Sequence, residues 1–194
     1  MLKGILQNDF FFCNHLGANQ YDEEDIKTFS ARDKRGEGLV VYLKECAFTE
    51  EVNGHMRTYI VRDIGTAEVV AYFALKAGLI SINEIYIEEE ATFDTLPGVE
   101  LANFAVNNEY IQNHPSMKGV GYVIFTDFIL PLIEKAAETI GIKVLYIFAL
   151  PEPGLIHRYE KYGFQRLTSE WEVAIHQRLK PNYDKDCIFM YQVL

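Results

Sequence analysis

The chain has 194 residues, of which 49% are hydrophobic, and its 18 basic and 28 acidic residues give a formal net charge of −10. This length and apolar content favour a single domain with a sizeable core, and the negative charge disfavours nucleic acid and anionic lipid as partners. Because the N-terminus has neither the basic segment nor the long apolar stretch of a signal peptide, and no apolar run could span a bilayer, we expect a cytoplasmic protein without a membrane partner.

The first half of the chain predicts a strand, two helices and a hairpin. The apolar run at 10–13 suits a buried strand, and the acidic residues at 22–25 suit the N-terminus of a helix over 21–29. A second helix follows from apolar residues at helical spacing, which are Leu39, Val40, Leu43 and Ala47. Residues 58–61 and 69–75 are rich in β-branched and aromatic side chains and flank a turn, which predicts an antiparallel hairpin.

The second half predicts alternating strands and helices. Residues 80–87 alternate like an extra edge strand or a surface insertion, and an apolar strand over 99–106 is followed by a long loop. A long helix over 120–140 should kink at Pro131. The remaining elements are a strand at 143–149, a short helix at 155–162 closed by Gly163, a segment at 164–167, a helix ending near 179 and a last strand at 187–193. This order predicts one mixed α/β domain over residues 1–194 with a parallel strand pair.

Two glycines mark the start of the long helix. Gly119 and Gly121 precede its apolar pattern and follow a polar stretch. The first N–H groups of a helix have no partner within it and carry the positive end of the helix dipole. The sequence therefore predicts an anion-binding turn that suits a phosphate.

Four features together resemble the GNAT superfamily of N-acetyltransferases. They are the strand at 99–106, Lys118-Gly119-Val120-Gly121, the strand at 143–149 and Tyr159-Glu160-Lys161-Tyr162-Gly163-Phe164. In that family a turn of the form Gln/Arg-x-x-Gly-x-Gly/Ala holds the pyrophosphate of acetyl-CoA, and residues 116–121 match it at both glycines. The resemblance implies a GNAT-like single domain with a central mixed twisted sheet of about six to seven strands and helices on both faces.

The resemblance also implies a coenzyme site with acetyl-CoA as co-substrate. The backbone around Phe104, Ala105 and Val106 would contact the pantetheine arm. The pyrophosphate would lie at the turn formed by Ser116, Met117, Lys118, Gly119, Val120, Gly121 and Tyr122. Ser116 stands where the family has Gln or Arg, and Glu152 stands where many members have an Asn that contacts the coenzyme.

Two residues match catalytic positions of the family. Glu100 lies six residues before Val106, at the spacing of the general-base glutamate in the histone-acetylating branch. Its neighbours are apolar and could raise its pKa by desolvation, although a solvated strand end is an equal alternative. Tyr159 matches the tyrosine that protonates the leaving thiolate, and its alternative role is packing between helix and sheet.

No metal site is predicted. Three cysteines and five histidines are scattered without ligand spacing, so the cysteines are expected to be reduced thiols. His114 and His157 are given no catalytic role, because a single histidine at the surface or core edge is commoner than a catalytic one.

These observations lead to an acetyl-CoA-dependent N-acetyltransferase in which a primary amine attacks directly in a ternary complex. The acceptor, a small-molecule or peptide amine, would lie against residues 21–48 and 168–186. One alternative is a GNAT-fold acyl-CoA-binding or regulatory protein with little catalysis. Another is a toxin-type acetyltransferase acting on aminoacyl-tRNA, a class whose sequences residues 57–61 and 71–75 resemble. The negative net charge argues against a tRNA substrate. A local basic patch formed by Lys118, Arg158, Lys161 and Arg166 would weaken that argument. A homodimer is compatible with either enzyme.

Overall fold

The computed structural model describes residues 6–87, 90–179 and 186–194, and within them it leaves out the side chains of residues 82–87 and 90–93. Its eight strands are β1 Leu6–Gln7, β2 Phe11–His15, β3 Arg57–Asp63, β4 Val69–Ile87, β5 Glu90–Val106, β6 Val144–Ala149, β7 Gln165–Arg166 and β8 Ile188–Val193. They form one sheet in the order β1-β2-β3-β4-β5-β6-β8-β7. The mixed α/β class is confirmed, with slightly more strands than the sequence predicts.

Eight α-helices connect these strands in the described part of the chain. They are α1 Asp22–Asp25, α2 Glu37–Val41, α3 Ala47–Asn53, α4 Asn108–Asn113, α5 Val120–Ile124, α6 Leu130–Thr139, α7 Pro153–Lys161 and α8 Ser169–Arg178. A π-helical turn over Tyr42–Cys46 joins α2 to α3, and a second over Phe125–Ile129 joins α5 to α6. Within the described ranges, no helix combines the length and the apolar character needed to cross a membrane.

The chain forms two compact units. Unit 1 comprises Met1–Lys76 and Ala102–Leu132, and unit 2 comprises Ala77–Leu101 and Ile133–Leu194. Each unit has its own core of packed apolar side chains. A single domain over residues 1–194 stays a prediction.

Unit 1 is built around the antiparallel strands β2, β3 and β4. Its core joins the first helices to one face of these strands through Leu16, Ile26, Phe29, Leu43, Ala47, Ile60, Val69 and Tyr72. A buried ion pair fastens α1 to β3, because Arg62 Nη2 lies 2.6 Å from Asp22 Oδ1 and both side chains are only 2% exposed. Asp22 Oδ2 also accepts a hydrogen bond from the Gly17 N–H, so both carboxylate oxygens have partners.

Unit 2 is built around β6, whose six residues are all buried. Gly98–Glu100 of β5 pair with Val144–Tyr146 in parallel, which confirms the predicted parallel pair, and β8 runs antiparallel on the other side of β6. One face of this sheet packs against α8 through Tyr146, Phe148, Ile175 and Phe189.

The connections differ in part from the sequence predictions. Residues 80–87 are strand and continue β4 beyond Leu75, where its pairing with β3 ends. The expected long loop after β5 contains helix α4, which starts at the N-cap Asn107, whose side chain accepts a hydrogen bond from the Glu109 N–H. The kink predicted at Pro131 stays a prediction; Pro131 lies in the first turn of α6, and the π-helical turn ends two residues before it.

Candidate functional site

The end of strand β5 belongs to unit 1 and is held by Asn107. Its backbone N–H donates to the Val70 carbonyl at 2.8 Å, and its Nδ2 donates to the Val69 carbonyl at 2.9 Å. Its Oδ1 accepts from the Ser30 N–H at 3.1 Å. These bonds fix the direction in which the chain leaves Phe104–Val106, the predicted pantetheine contacts, which are partly buried.

The predicted anion-binding turn lies further along unit 1. Gly119 is the N-cap of α5 with φ 71° and ψ 14°, a left-handed conformation that favours glycine. A Cβ at Gly119 would meet nothing within 4 Å, so the backbone conformation, not lack of space, calls for glycine. The Gly119 carbonyl accepts from the Tyr122 N–H at 2.9 Å and closes the first turn. Helical turns then continue to Thr139, which gives the N–H groups of Val120 and Gly121 the dipole of a long helix.

The neighbours of this turn differ in exposure. Ser116, Lys118 and Tyr122 are exposed, and Met117 is partly buried. Ser116 is not the cap residue of the helix, because Gly119 occupies the N-cap position. The side chain of Lys118 is the one cation of the predicted phosphate turn.

Helix α4 precedes the turn and is tied to the β3–β4 hairpin by two polar pairs. The Tyr110 hydroxyl donates to Asp63 Oδ2 at 2.7 Å, and His114 Nε2 lies 2.8 Å from Glu68 Oε2. Burial acts to raise the pKa of Asp63, but hydrogen bonds from Tyr110 and from two backbone N–H groups outweigh it and lower that pKa. The hydrogen bond to His114 lowers the pKa of Glu68. The chain leading to the turn is therefore anchored within unit 1.

Unit 1 also contains a cleft of about 500 Å³ between α1, the β3–β4 hairpin and α4. Its charged lining consists of Glu24, Asp25, Glu68 and Glu109 with Lys27 and Arg62, so carboxylates outnumber cations. Part of it belongs to the segment 21–48 predicted to face the acceptor. The other predicted acceptor segment, 168–186, contains α8, and its residues 180–185 lie outside the described part.

Glu100 lies in unit 2, on β5, directly beside Tyr146 in the parallel register. Its side chain is partly buried, which is intermediate between the desolvated base and the solvated strand end that the sequence leaves open. Burial and, second, the negative charge of Glu100 raise the pKa of Tyr146. The in-register pairing makes Tyr146 a same-face neighbour of Glu100, which the sequence does not reveal.

Tyr159 lies on α7 in unit 2 and is 8% exposed. Its ring packs edge-on against Phe164 at 5.6 Å, and its carbonyl accepts from the Phe164 N–H at 3.0 Å. With Gly163 at φ 94°, this is a Schellman cap, which explains the Tyr-x-x-x-Gly-Phe spacing as a helix end. Burial raises the pKa of Tyr159, so its hydroxyl keeps its proton throughout the neutral range.

The predicted residues are therefore divided between the two units. Unit 1 holds the strand end at 104–106 and the turn at 116–122, and unit 2 holds Glu100 and Tyr159. Glu152, at the N-cap of α7, also lies in unit 2. Among the described residues there is no group of three or more His, Cys, Asp or Glu side chains arranged to hold a metal ion.

Sequence comparison and structure comparison give different results. No protein-family model matches the chain, and no curated protein matches it. A solved structure of a Tyr-to-Phe variant of KacT is 16% identical, with a TM-score of 0.67 over 95% of both chains. A variant of the AtaT toxin bound to acetyl-CoA and the C-terminus of the antitoxin AtaR is 17% identical, with a TM-score of 0.63 over 95% of this chain and 94% of that chain.

A third similar structure is AtaT complexed with acetyl-methionyl-tRNAfMet, which is 17% identical, with a TM-score of 0.62 over 92% of this chain and 93% of that chain. At such low identity, these similarities establish the fold and nothing more. The chain shares the fold of these proteins, which confirms the GNAT fold expected from the sequence motifs.

Proposed function

We propose that the chain is an acetyl-CoA-dependent N-acetyltransferase. The observation that carries this proposal is the left-handed Gly119 at the start of the helical run from Val120 to Thr139, in a chain with the GNAT fold. A Cβ at Gly119 would meet nothing within 4 Å, so no neighbouring atom crowds the turn on that side. The N–H groups of the first helical turn would bind the coenzyme pyrophosphate, with Ser116, Met117, Lys118 and Tyr122 around it.

Phe104, Ala105 and Val106 would contribute backbone groups to the pantetheine arm. Asn107 supports this role because its five hydrogen bonds hold the end of β5 to β4, Ser30 and α4. A strand end fixed in this way positions the thioester without rearrangement of the backbone.

Glu100 and Tyr159 would carry the proton transfers. Glu100 takes a proton from the acceptor ammonium, the free amine attacks the thioester carbonyl, and the carbon–sulfur bond breaks as the carbon–nitrogen bond forms. Tyr159 donates its proton to the departing thiolate, and the acetylated nitrogen gives up its second proton, which restores the tyrosine hydroxyl. Its raised pKa keeps the proton available at neutral pH, and its edge contacts with Tyr162 and Phe164 hold the ring in place.

The acceptor that the structural similarities support is the amino group of an aminoacyl-tRNA. One similar structure contains acetyl-methionyl-tRNAfMet, and another contains acetyl-CoA with an antitoxin segment. In unit 2, Arg158 and Lys161 are exposed and three residues apart on α7, so they offer a local positive surface despite the net charge.

A second candidate acceptor is a small or peptide amine with positive charge. The net charge of −10 and the acidic lining of the unit 1 cleft favour this class. A protein with the GNAT scaffold but little catalysis is the third reading, supported by Ser116 in place of Gln or Arg.

Thiol release from acetyl-CoA in the presence of single acceptors distinguishes these readings. The panel comprises charged aminoacyl-tRNAs, uncharged tRNA, spermidine and a lysine-containing peptide. We expect thiol release with aminoacyl-tRNA and none with uncharged tRNA. Release with spermidine or the peptide but not with aminoacyl-tRNA would show that the acceptor is a small or peptide amine. No release with any acceptor, together with acetyl-CoA binding, would favour the non-catalytic reading.

Two variants test the catalytic roles directly. Glu100→Gln and Tyr159→Phe should each lower the transfer rate by about 10² or more while acetyl-CoA binding persists. Glu160→Gln, next to Tyr159 but exposed, is the matched control and should react at the rate of the unmodified protein. Unchanged rates in both test variants would contradict the assigned roles.

A further inference from the structure

The side chain of Tyr146 occupies a fixed place beside Glu100. The two residues are in-register neighbours on β6 and β5, and such neighbours point to the same face of a sheet. Tyr146 is 3% exposed, and its ring is stacked against Phe189 at a centroid distance of 5.7 Å. The ring therefore has little freedom to leave this face.

Two glycines make room for the ring. A Cβ at Gly98 on β5 would lie 3.0 Å from the Val144 carbonyl oxygen and 3.2 Å from Cε1 of Tyr146. At Gly78 on β4, a Cβ would collide with the hydroxyl of Tyr146. The ring thus crosses over β5 at Gly98, and its hydroxyl reaches Gly78, which fixes the position of this polar atom.

The charge of Glu100 acts on this hydroxyl. After burial, it is the cause that raises the pKa of Tyr146, so the phenol is neutral at physiological pH and keeps a proton to donate. Titratable side chains near this face include Tyr191, the partner of Tyr146 on β8, Cys187, and two residues of α8. These two are His176, whose ring lies 5.7 Å from that of Phe148, and Arg178, which donates to the Ser81 carbonyl. None of these raises the pKa of Tyr146.

We propose that Tyr146 is a positioning residue for Glu100, whose carboxylate its fixed hydroxyl orients toward the acceptor amine through one water molecule. This inference rests on the proposed N-acetyltransferase function for its catalytic consequence. The part that the structure itself supports is that Tyr146 has a hydroxyl donor held in place where Gly78 and Gly98 leave space for the ring. A tyrosine that served only to fill the core would need its ring but not its hydroxyl.

The variant Tyr146→Phe removes the hydroxyl and keeps the ring. We expect kcat to fall about tenfold with the KM for acetyl-CoA unchanged. A donor stabilises the charged carboxylate, so its loss should move the acidic limb of the kcat/KM profile up by about one pH unit. Tyr191→Phe, on the same face but one strand further from Glu100, is the matched control and should change neither quantity.

A second readout does not depend on activity. The carboxyl carbon of Glu100, labelled with ¹³C and assigned by its loss in Glu100→Gln, should titrate at higher pH in Tyr146→Phe than in the unmodified protein. Unchanged titration and unchanged kcat in Tyr146→Phe would overturn the inference and leave Tyr146 as packing. A shifted titration in a protein that transfers no acetyl group would support the Tyr146–Glu100 coupling and contradict the proposed function.

Discussion

At the scale of single residues, Gly78 lies where the hydroxyl of Tyr146 meets β4. Gly78→Ala should lower the free energy of unfolding by about 1–3 kcal/mol. The added methyl group would collide with the Tyr146 side chain, which Phe189 and the backbone at Gly98 keep from moving away. The loss should be smaller in the Tyr146→Phe background, where the hydroxyl is absent. Urea unfolding of the four proteins of this cycle measures both values.

Gly141→Ala is the control for that cycle. A Cβ at Gly141 meets nothing within 4 Å, so the change should stay within about 0.5 kcal/mol. Equal losses for Gly78→Ala in both backgrounds would show that the Tyr146 hydroxyl does not reach Gly78.

The ion pair of Arg62 offers a second test at this scale. Arg62→Met leaves the buried Asp22 without its counter-ion, and we expect a loss of about 3–5 kcal/mol. Arg57 lies on the same strand and is paired with Glu51 at 3.2 Å, but its side chain is 52% exposed. Arg57→Met should therefore cost less than about 1 kcal/mol, and comparable losses in urea unfolding would contradict the burial of the first pair.

At the scale of elements, α4 depends on its contacts with the β3–β4 hairpin. Tyr110→Phe removes the hydrogen bond to Asp63 and should cost about 1 kcal/mol at pH 7. Because the folded pKa of Asp63 is lowered, this stabilisation is complete above the ordinary value of about 4 and is lost as the pH falls through the lowered pKa. Urea unfolding at pH 7 and near pH 3.5 should show the difference between the two proteins shrinking with acid.

A difference between the two proteins that is constant across this pH range would mean that Asp63 does not accept the hydrogen bond. Tyr21→Phe is the control, since Tyr21 is 60% exposed. Its stability should match that of the unmodified protein at both pH values.

The elements differ in how far the sequence predicts them. Apolar periodicity is enough for the β3–β4 hairpin, the parallel pair of β5 and β6, and the long helix, because a buried face imposes its spacing on the residues. Helix α4 has only six residues, and its main anchors are Tyr110 and Asn107, whose partners lie about 40 to 80 positions away in the sequence. No local pattern contains such contacts.

In the candidate site too, the sequence predicts the local features and misses those that depend on distant contacts. Gly119 and the end of α7 are local structures, so Gly-x-Gly and Tyr-Glu-Lys-x-Gly-Phe reveal them in the sequence. Tyr146 is one of twelve tyrosines and has no motif of its own. Its only sequence signal is indirect, since isolated glycines within strands, here Gly78 and Gly98, indicate that another group approaches the backbone closely.

At the scale of the whole molecule, the net charge of −10 opposes an aminoacyl-tRNA acceptor unless a local surface compensates it. We expect charge reversal of Arg158 and Lys161 to raise the KM for aminoacyl-tRNA about tenfold or more and to weaken its dependence on salt. The KM for acetyl-CoA should stay unchanged. Lys135→Glu, an exposed lysine on α6, is the control.

Steady-state kinetics at two salt concentrations measures this effect. Equal changes for Lys135→Glu and for the Arg158 and Lys161 reversal would indicate a response to net charge alone. The proposed role of the α7 surface in binding the acceptor would then be contradicted.

Acetyl-CoA binding tests the central proposal most directly. Isothermal titration calorimetry should show one acetyl-CoA per chain. Gly119→Val should weaken binding about tenfold or more, because a β-branched residue does not adopt the left-handed conformation that places the first N–H groups of the helix. Gly141→Ala should bind like the unmodified protein. The absence of binding at millimolar acetyl-CoA, or equal affinity in Gly119→Val, would contradict a coenzyme site at this turn.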